Sequence, residues 1–548
     1  MNFDPRDHPY GTAEFSSDAQ IRRAFRARGG LPIAFHRGKL LTHSARSGML
    51  LVSGAGAQKW VSVLAHSALT RGRNGEPPRF LFFDPKGEMA AVMAWGLIHS
   101  GAHVYCINPW HLHGLPNQTL SLLSHLKEDS PTLVADARNL ARTLQPESAD
   151  ESSKFFDITG QNWFDPLIRG PVYADGSVSF SSLYALLGLI HANPDGWIDR
   201  AAEMAACGPS DLEVAYKQMI EMAAESRRTF DSVLAGMSNA LSFLTDPNVR
   251  GSLVDDDEAD TTLDVMTEDS DRPIFFFICI PPELVPQNAP LIRAIFSVMR
   301  TLKQRKPQSP TVNLVIDEAA TLGRFPEIAE FFSVGRGFGL CPLAVYQSWG
   351  QVRSNLGPTG PQILSASADV EVYLGGGVSD LETAQTLSQR LGNQTLALDD
   401  RLTQMRAARA KREALHGMLF EGGDPVKAGM TLRALDEELA HTRKIARPLM
   451  SPDEILNMPQ DKALVIASGY GIRPFLADKR PYYTMRRYAG RMFPNPYFDR
   501  AMDRVKVKTL LGMRTRAVIE EPVPERYADF PQYKDGRWRF IQGYRPKT

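Results

Sequence analysis

The chain has 548 residues, 43% of them hydrophobic and 23% charged, with Lys plus Arg and Asp plus Glu equal at 62 each. That length accommodates two or three domains of ordinary size, and the composition excludes a disordered or fibrous chain. Because the charges balance, a nucleic-acid partner cannot be argued from net charge, only from where the charges sit.

Residues 1–47 are polar and basic (Arg22, Arg23, Arg26, Arg28, Arg37, Lys39, Arg46) and read as a solvated N-terminal arm. The start, MNFDPRDHPY, is too polar for a signal peptide. A short apolar strand, MLLVS at 49–53, then enters Gly54-Ala55-Gly56-Ala57-Gln58-Lys59 and an apolar helix, VSVLAHSAL. Strand, Gly-rich turn and helix form the architecture that cradles phosphates: backbone N–H groups converge on the anion and a Lys reaches its outer oxygens. The P-loop consensus wants Gly before that Lys and Ser or Thr after it; here those places hold Gln58 and Trp60. An ordinary strand-to-helix connection would read the same way.

RFLFFDPKGE at 79–88 is a buried run ending in Asp84, Lys86 and Glu88, and HVYCINPW at 103–110 is a third strand. With the helix MAAVMAWGLIHSG between them, they predict a parallel sheet with crossover helices. From 133 to 243 long amphipathic stretches replace strands, which predicts an all-α insertion. Residues 252–271 follow with nine Asp or Glu and no Lys or Arg, the pattern of a solvated loop. The sheet resumes with PIFFFICIPPE. Its apolar run is far shorter than the ~20 residues of a membrane span.

The next strand, VNLVI at 312–316, runs into Asp317-Glu318. A buried parallel strand delivers such acids to the carboxyl edge of the sheet, where ligands of open α/β sheets bind. There Asp317 suits the waters of a Mg²⁺ ion and Glu318 suits an attacking water, as in a Walker B strand; two solvated acids ending a buried strand would look alike. Arg336, in Gly335-Arg336-Gly337, suits a phosphate in a neighbouring subunit, and Gln347 ends the next strand, CPLAVYQSW, where a γ-phosphate would be sensed. Residues 398–447 predict a charged helical hairpin around Gly422-Gly423-Asp424-Pro425, and KALVIASGY at 462–470 a last strand. From 479 to 516 eleven Lys or Arg face two Asp, interleaved with Tyr482, Tyr483, Tyr488, Phe493, Tyr497 and Phe498. That mixture suits single-stranded nucleic acid, with Arg486, Arg487 and Arg491 as contacts; a peripheral tail on an acidic surface is the other reading. The cysteines, Cys106, Cys207, Cys279 and Cys341, are too scattered for a metal cluster or disulfide framework and fit a reducing compartment.

Several motifs fall in one order: HPYGTAEF, the turn around Lys59, FFDPKGE, INPW, TFDSVLAGMSNALSFLTDPNV, LVIDEAATLGRFPEI, GRGFGL, VYQSWGQV, VEVYLGGGVSDLETAQTLSQRLG and RPLMSPDEILNMPQDKALVIASG. Over residues 8–496 the chain resembles the coupling proteins of type IV secretion and conjugation, the TraG/TraD-like family of hexameric P-loop motors. The resemblance implies an α/β fold with a RecA-like, mostly parallel sheet flanked by helices and an inserted all-α domain. The implied division is an arm at 1–47, a nucleotide-binding domain at 48–132, 251–397 and 448–478, the insert at 133–250, the hairpin at 398–447 and a basic tail at 479–548. It implies ATP and Mg²⁺ as cofactors, with Gly54, Gly56, Lys59 and Asp317 binding the nucleotide, Asp317 the metal, and Glu318, Arg336 and Gln347 catalytic. The implied partners are DNA, single-stranded and carried with a relaxase, the secretion channel components at the inner membrane, and further copies in a hexamer. The family usually carries N-terminal membrane helices. This chain starts at the cytoplasmic portion, so the expected location is cytoplasmic, either peripheral to the inner membrane through a separate membrane protein or in solution. The alternative is an ATPase-deficient docking receptor of the same fold, which the turn at Gln58 and Trp60 favours and the Asp317-Glu318 pair disfavours.

Overall fold

The computed structural model describes the chain except at residues 1–7, 28, 45–46, 73–74, 149, 400, 421–429, 436–441, 489–491, 494, 498–503, 530–532, 534–535, 544 and 546–548. Two compact units are present: one comprises Ser17–Val378 with Pro459–Thr548, the other Met1–Ser16 with Ser379–Met458.

The larger unit is built on an eleven-stranded sheet. Its parallel part runs, in spatial order, Ala368–Leu374, Gly48–Val52, Leu340–Tyr346, Val312–Ile316, Arg79–Asp84, Ile274–Cys279 and His103–Ile107. These runs are continuously apolar because helices cover both faces of a parallel sheet. Phe80, Phe82, Phe275 and Phe277 share one face by period-two alternation and stack at 5.0–5.4 Å between ring centroids. Each ring removed from water contributes about 1.5–3 kcal/mol.

Beyond the Ala368–Leu374 strand the sheet continues antiparallel through Lys462–Ile466, Phe475–Asp478, Leu31–His36 and Lys39–His43. The predicted solvated arm is therefore, from Leu31 on, a hairpin of the sheet. Leu31, Ile33 and Phe35 are fully buried. Arg37 and Gly38, both at positive φ, form its two-residue turn, and that conformation matches the strand twist. Arg28 and Arg46 lie outside the described residues.

Among the described residues, seven α-helices, from Leu133–Leu144 to Pro247–Ser252, make up the expected insert. Buried Arg169 joins two of them, with Asp165 on its own helix and Asp211 at 2.7 Å on the helix Ser210–Glu225. Arg293, on the helix Val285–Arg305, ties the insert to the sheet edge. Its guanidinium donates to the carbonyls of Thr143 and Leu144 and, at 3.0 Å, to that of Leu322 in the turn after Glu318. The acidic run is not a free loop. Asp256 accepts from Ser121 and Lys127, Asp260 accepts from the Thr119 N–H, and Thr261–Thr262 pairs with Leu120–Ser121, so its charges close the neck of the insert.

The basic tail also packs. Tyr482 and Tyr488 are buried in the main core. Downstream, Arg504–Thr509, Gly512–Pro522 and Arg537–Ile541 form a three-stranded antiparallel sheet beside a small core of Phe493, Tyr527, Tyr533 and Trp538. Of the aromatics read as base-stacking platforms, Tyr482, Tyr488 and Phe493 face the interior, and Phe498 is outside the described residues.

In the smaller unit the helix Leu381–Leu391 precedes a ladder of Asn393–Asp399 with Thr442–Pro448, and the helix Arg401–Phe420 follows the first of those strands in the chain. The charged segment at 398–447 is thus carried on a β-ladder rather than starting as a helical hairpin; Gly422 to Pro425 lie outside the described residues. Thr12 bridges to Gln394 at the edge of that ladder.

Candidate functional site

Three parallel strands converge at the carboxyl edge of the sheet: Gly48–Val52 leads into the Gly-rich turn, Val312–Ile316 into Asp317-Glu318, and Arg79–Asp84 ends at Asp84. A pocket of about 540 Å³ opens there. Gly56, Gln58, Lys59, Trp60, Asp84, Lys86, Glu88, Asp317 and Glu318 line it on the sheet side, and Tyr482, Tyr483, Asn495, Arg539, Phe540 and Ile541 on the C-terminal side.

The turn is braced from below. The Ser53 N–H donates to the Tyr346 carbonyl at 2.8 Å and the Gly54 N–H to the Gly377 carbonyl at 2.5 Å. Gly54 is consequently committed to the sheet; its N–H is not a phosphate donor and it does not line the pocket. Gly56 has φ 76°, and a Cβ there would meet nothing within 4 Å, so the backbone is open toward a ligand. Gln58 holds φ 61°, a left-handed conformation that costs a non-glycine residue about 1–2 kcal/mol. Lys59 Nζ donates to the carbonyls of Ser53 at 3.0 Å and Gly54 at 3.4 Å. Burial holds its pKa below the ordinary value, opposed by the charges of Asp317 and Glu318.

The helix after the turn is shorter than its sequence predicts. One α-turn, Lys59–Ser62, breaks at Val63 (φ −125°) and passes into a 3₁₀ segment, Leu64–Leu69. Buried His66 sets this path, because its ring nitrogens pair with the Tyr488 hydroxyl at 2.5 Å and the Arg480 carbonyl at 2.8 Å. So short a helix adds little dipole to the cradle. Trp60, at the consensus hydroxyl position, is 9% exposed; its Nε1 donates to Glu88 Oε1 at 2.6 Å and its ring lies 5.3 Å from that of Tyr482. Glu88 also accepts from Asn495. Trp60 is therefore a wall of the pocket.

Asp317 is pushed up to about 6 by burial and by the neighbouring Glu318, against the pull of Lys59 and Lys86. Its Oδ1 is buried and without a protein hydrogen-bond partner among the described residues. Asp84, on the adjacent strand, is pushed up to about 7, first by burial and then by Asp317 and Glu88, while the Ala90 N–H donates to its Oδ2 at 2.9 Å and lowers it. Glu318, like Gln58, sits at positive φ (55°). Strained non-glycine backbone concentrates at functional sites, and here two such residues face one pocket. The orphaned Asp317 oxygen, the open backbone at Gly56 and the adjacent Lys59 fit a magnesium nucleotide. Trp60 supplies no hydroxyl to the metal.

The structure thus brings Gly56, Lys59, Asp317 and Glu318 together. Gln347 stands at the same edge, between the strands that carry the turn and Asp317, with its N–H donating to Gln351 Oε1 at 2.8 Å, but it does not line the pocket. Arg336 is exposed and precedes the strand Leu340–Tyr346, so it lies at the opposite edge, about 23 Å away at 3.3 Å per residue. Arg487 covers the rings of Phe35 at 5.3 Å and Tyr488 at 5.1 Å. The Arg486 side chain and all of Arg491 lie outside the described residues. Sequence reasoning missed the C-terminal wall, from Tyr482 to Ile541. Its only signal was the aromatic content of the basic stretch, assigned there to nucleic acid.

Among known proteins, the chain is 21% identical over 360 residues to the type IV secretion system-coupling protein VirD4 of Bartonella quintana (strain Toulouse), covering 64% of this chain and 53% of that one. It is 22% identical over 464 residues to the conjugal transfer protein TraG of Agrobacterium fabrum (strain C58), covering 82% and 62%. The chain thus spans between about half and two thirds of the length of these relatives. The fold is shared with the plasmid coupling protein TrwB solved in complex with ADP and Mg²⁺, at a TM-score of 0.58 and 16% identity over 86% of this chain and 94% of that one. The model of the family described as Type IV secretory system Conjugative DNA transfer matches residues 16–414 and 436–511, well over half of the sequence. The chain belongs to that family of type IV coupling proteins.

Proposed function

We propose that this coupling protein is an ATP-driven motor that moves DNA, single-stranded and bound to a relaxase, toward the channel of a type IV secretion system. The observation that carries the proposal is the convergence of Gly56, Lys59, Asp317 and Glu318 on one pocket at the carboxyl edge of the sheet. Lys59 neutralises phosphate oxygens once it leaves the loop carbonyls. The unpartnered Asp317 oxygen holds the water shell of Mg²⁺, and the ion, when bound, offsets charge on the transferring phosphoryl group. Glu318 orients the attacking water and takes its proton, and Gln347 registers the terminal phosphate from the neighbouring strand end. Arg336, on the far edge, has no reach into its own pocket. Its role belongs to the pocket of the next subunit in a ring of six. The ADP and Mg²⁺ bound by TrwB, and the conjugal transfer named for TraG, support this reading. No helix among the described residues is long and apolar enough to cross a membrane; the proposed placement, on the cytoplasmic face of the inner membrane, rests on contact with channel proteins.

The test is steady-state ATP hydrolysis by the purified chain with and without single-stranded DNA, using Glu318→Gln as the blank. DNA-stimulated turnover above the blank is expected. Absence of both turnover and ATP binding would overturn the motor and leave a docking receptor of the same fold. Turnover retained in Glu318→Gln would overturn the role of that carboxylate alone.

A further inference from the structure

Lys479 is 6% exposed and does not line the pocket, whereas Ala57 and Gln58 in the Gly-rich turn do. Nζ donates to the Ala57 carbonyl at 2.9 Å and to the Gly375 carbonyl at 3.1 Å. Its own N–H donates to the Asp461 carbonyl at 2.7 Å, fixing the base of the side chain. Taking an ammonium out of water to serve two neutral carbonyls is costly. Burial accordingly pulls the group down to about 8, with Asp461 opposing. Simple gap-filling would not need a charge there.

The Ala57–Gln58 peptide is trans. In a trans peptide the C=O and N–H point in opposite directions. With its carbonyl held by Lys479, this peptide turns the Gln58 N–H away from the ammonium; Gln58 lines the pocket, and its N–H has no protein acceptor among the described residues. Gly377 packs closely against the turn, since a Cβ there would fall 1.9 Å from the Ser53 hydroxyl and 2.5 Å from the Ala57 methyl. With glycine at position 58 the left-handed conformation is intrinsically accessible; with Gln58 something else has to hold it.

We propose that Lys479 is a positioning residue of the nucleotide pocket: by holding the Ala57 carbonyl it aims the Gln58 N–H at the nucleotide phosphates and so restores the donor that the absent glycine would have presented. The proposal rests on the nucleotide-binding reading above. A charge on the acceptor side also polarises the peptide and strengthens its N–H as a donor.

The experiment measures the Kd of a non-hydrolysable ATP analogue with Mg²⁺, and the unfolding temperature without nucleotide. It uses the full chain as wild type, Lys479→Met, Lys479→Gln, and each of these combined with Gln58→Gly. Lys479→Met is expected to weaken binding about tenfold or more, the loss of one oriented donor to a charged group. Lys479→Gln, which keeps one N–H for the Ala57 carbonyl, should recover part of that loss. The effect should shrink in the Gln58→Gly background, whereas a merely structural role would lower the unfolding temperature equally in both backgrounds. A folded Lys479→Met protein binding within twofold of wild type overturns the inference and leaves the motor reading standing. Wild type that binds no nucleotide overturns both. If Lys479→Met does not fold, Lys479→Ala, which removes the same donor, decides by the same criterion.

Discussion

Replacing Gln58 by glycine tests how far the departure from the phosphate-loop consensus weakens the site. Gln58 is exposed and sits at φ 61°, ψ 35°, so the substitution removes few packing contacts. Leaving the left-handed region to glycine relieves about 1–2 kcal/mol. The extra freedom of glycine in the unfolded chain returns about 0.5–1 kcal/mol of that. The net is a gain of about 0.5–1 kcal/mol, too small to read reliably as a melting shift in a chain this long but measurable as a denaturant midpoint. Gln58→Ala is the control, since it shortens the side chain and keeps the strain. Glycine also clears a Cβ from the approach to the phosphates, and a 3- to 10-fold tighter Kd for Mg-ATP is expected of Gln58→Gly and not of Gln58→Ala. Equal midpoints and equal affinities for the glycine and alanine variants would refute both the strain and the obstruction.

The parallel strands were legible because burial on both faces leaves a continuous apolar run; VNLVI before Asp317 and RFLFF before Asp84 are cases. Asp317 and Glu318 were legible for a related reason, since they follow directly from the carboxyl end of such a run, and Lys59 because a Gly-rich turn joins it to the end of Gly48–Val52. The hairpin from Leu31 to His43 was hidden by the charges of its turn and edge, Arg37 and Lys39, which made a largely buried pair look like an arm. The C-terminal sheet has a subtler signal. RVKVKT alternates with period two, the mark of a strand, but the Lys and Arg between the valines gave it the look of a basic tail. The placement of Arg336 follows from its position along the chain. A residue before a parallel strand lies at the edge opposite the one after it, so its distance from Asp317 followed from chain order alone. The pairing of Glu88 with Trp60 and Asn495, and of Lys479 with Ala57, joins residues up to more than 400 positions apart. No local pattern encodes such contacts; they appear only once the strand order is known.

Trp60→Thr would restore the consensus hydroxyl while removing a ring that is 9% exposed and hydrogen-bonded to Glu88; a loss of about 3–5 kcal/mol in unfolding free energy is expected, and unchanged stability would show that the indole is not a structural wall. Arg336→Ala is expected to leave the Kd for Mg-ATP within twofold, because Arg336 lies at the far edge, and to lower turnover of the assembled protein by about 10³. Weakened binding in the isolated chain would contradict that placement. Asp84→Asn concerns pH. Burial raises the Asp84 carboxyl from an ordinary 3.8 to about 7, so between those values the folded state holds a proton that the unfolded state has released. Stability from this group therefore falls as pH rises through the window and is level above about 7. Asparagine keeps an oxygen for the Ala90 N–H and has no proton to lose, so in the absence of magnesium the variant should gain on wild type steadily from about pH 4 to pH 7 and hold a constant difference beyond. Denaturant midpoints of the pair at half-unit pH steps make the comparison, and a difference that stays flat across the window would mean that the Asp84 carboxyl ionises as an exposed one does, with the burial argument for this edge of the pocket wrong.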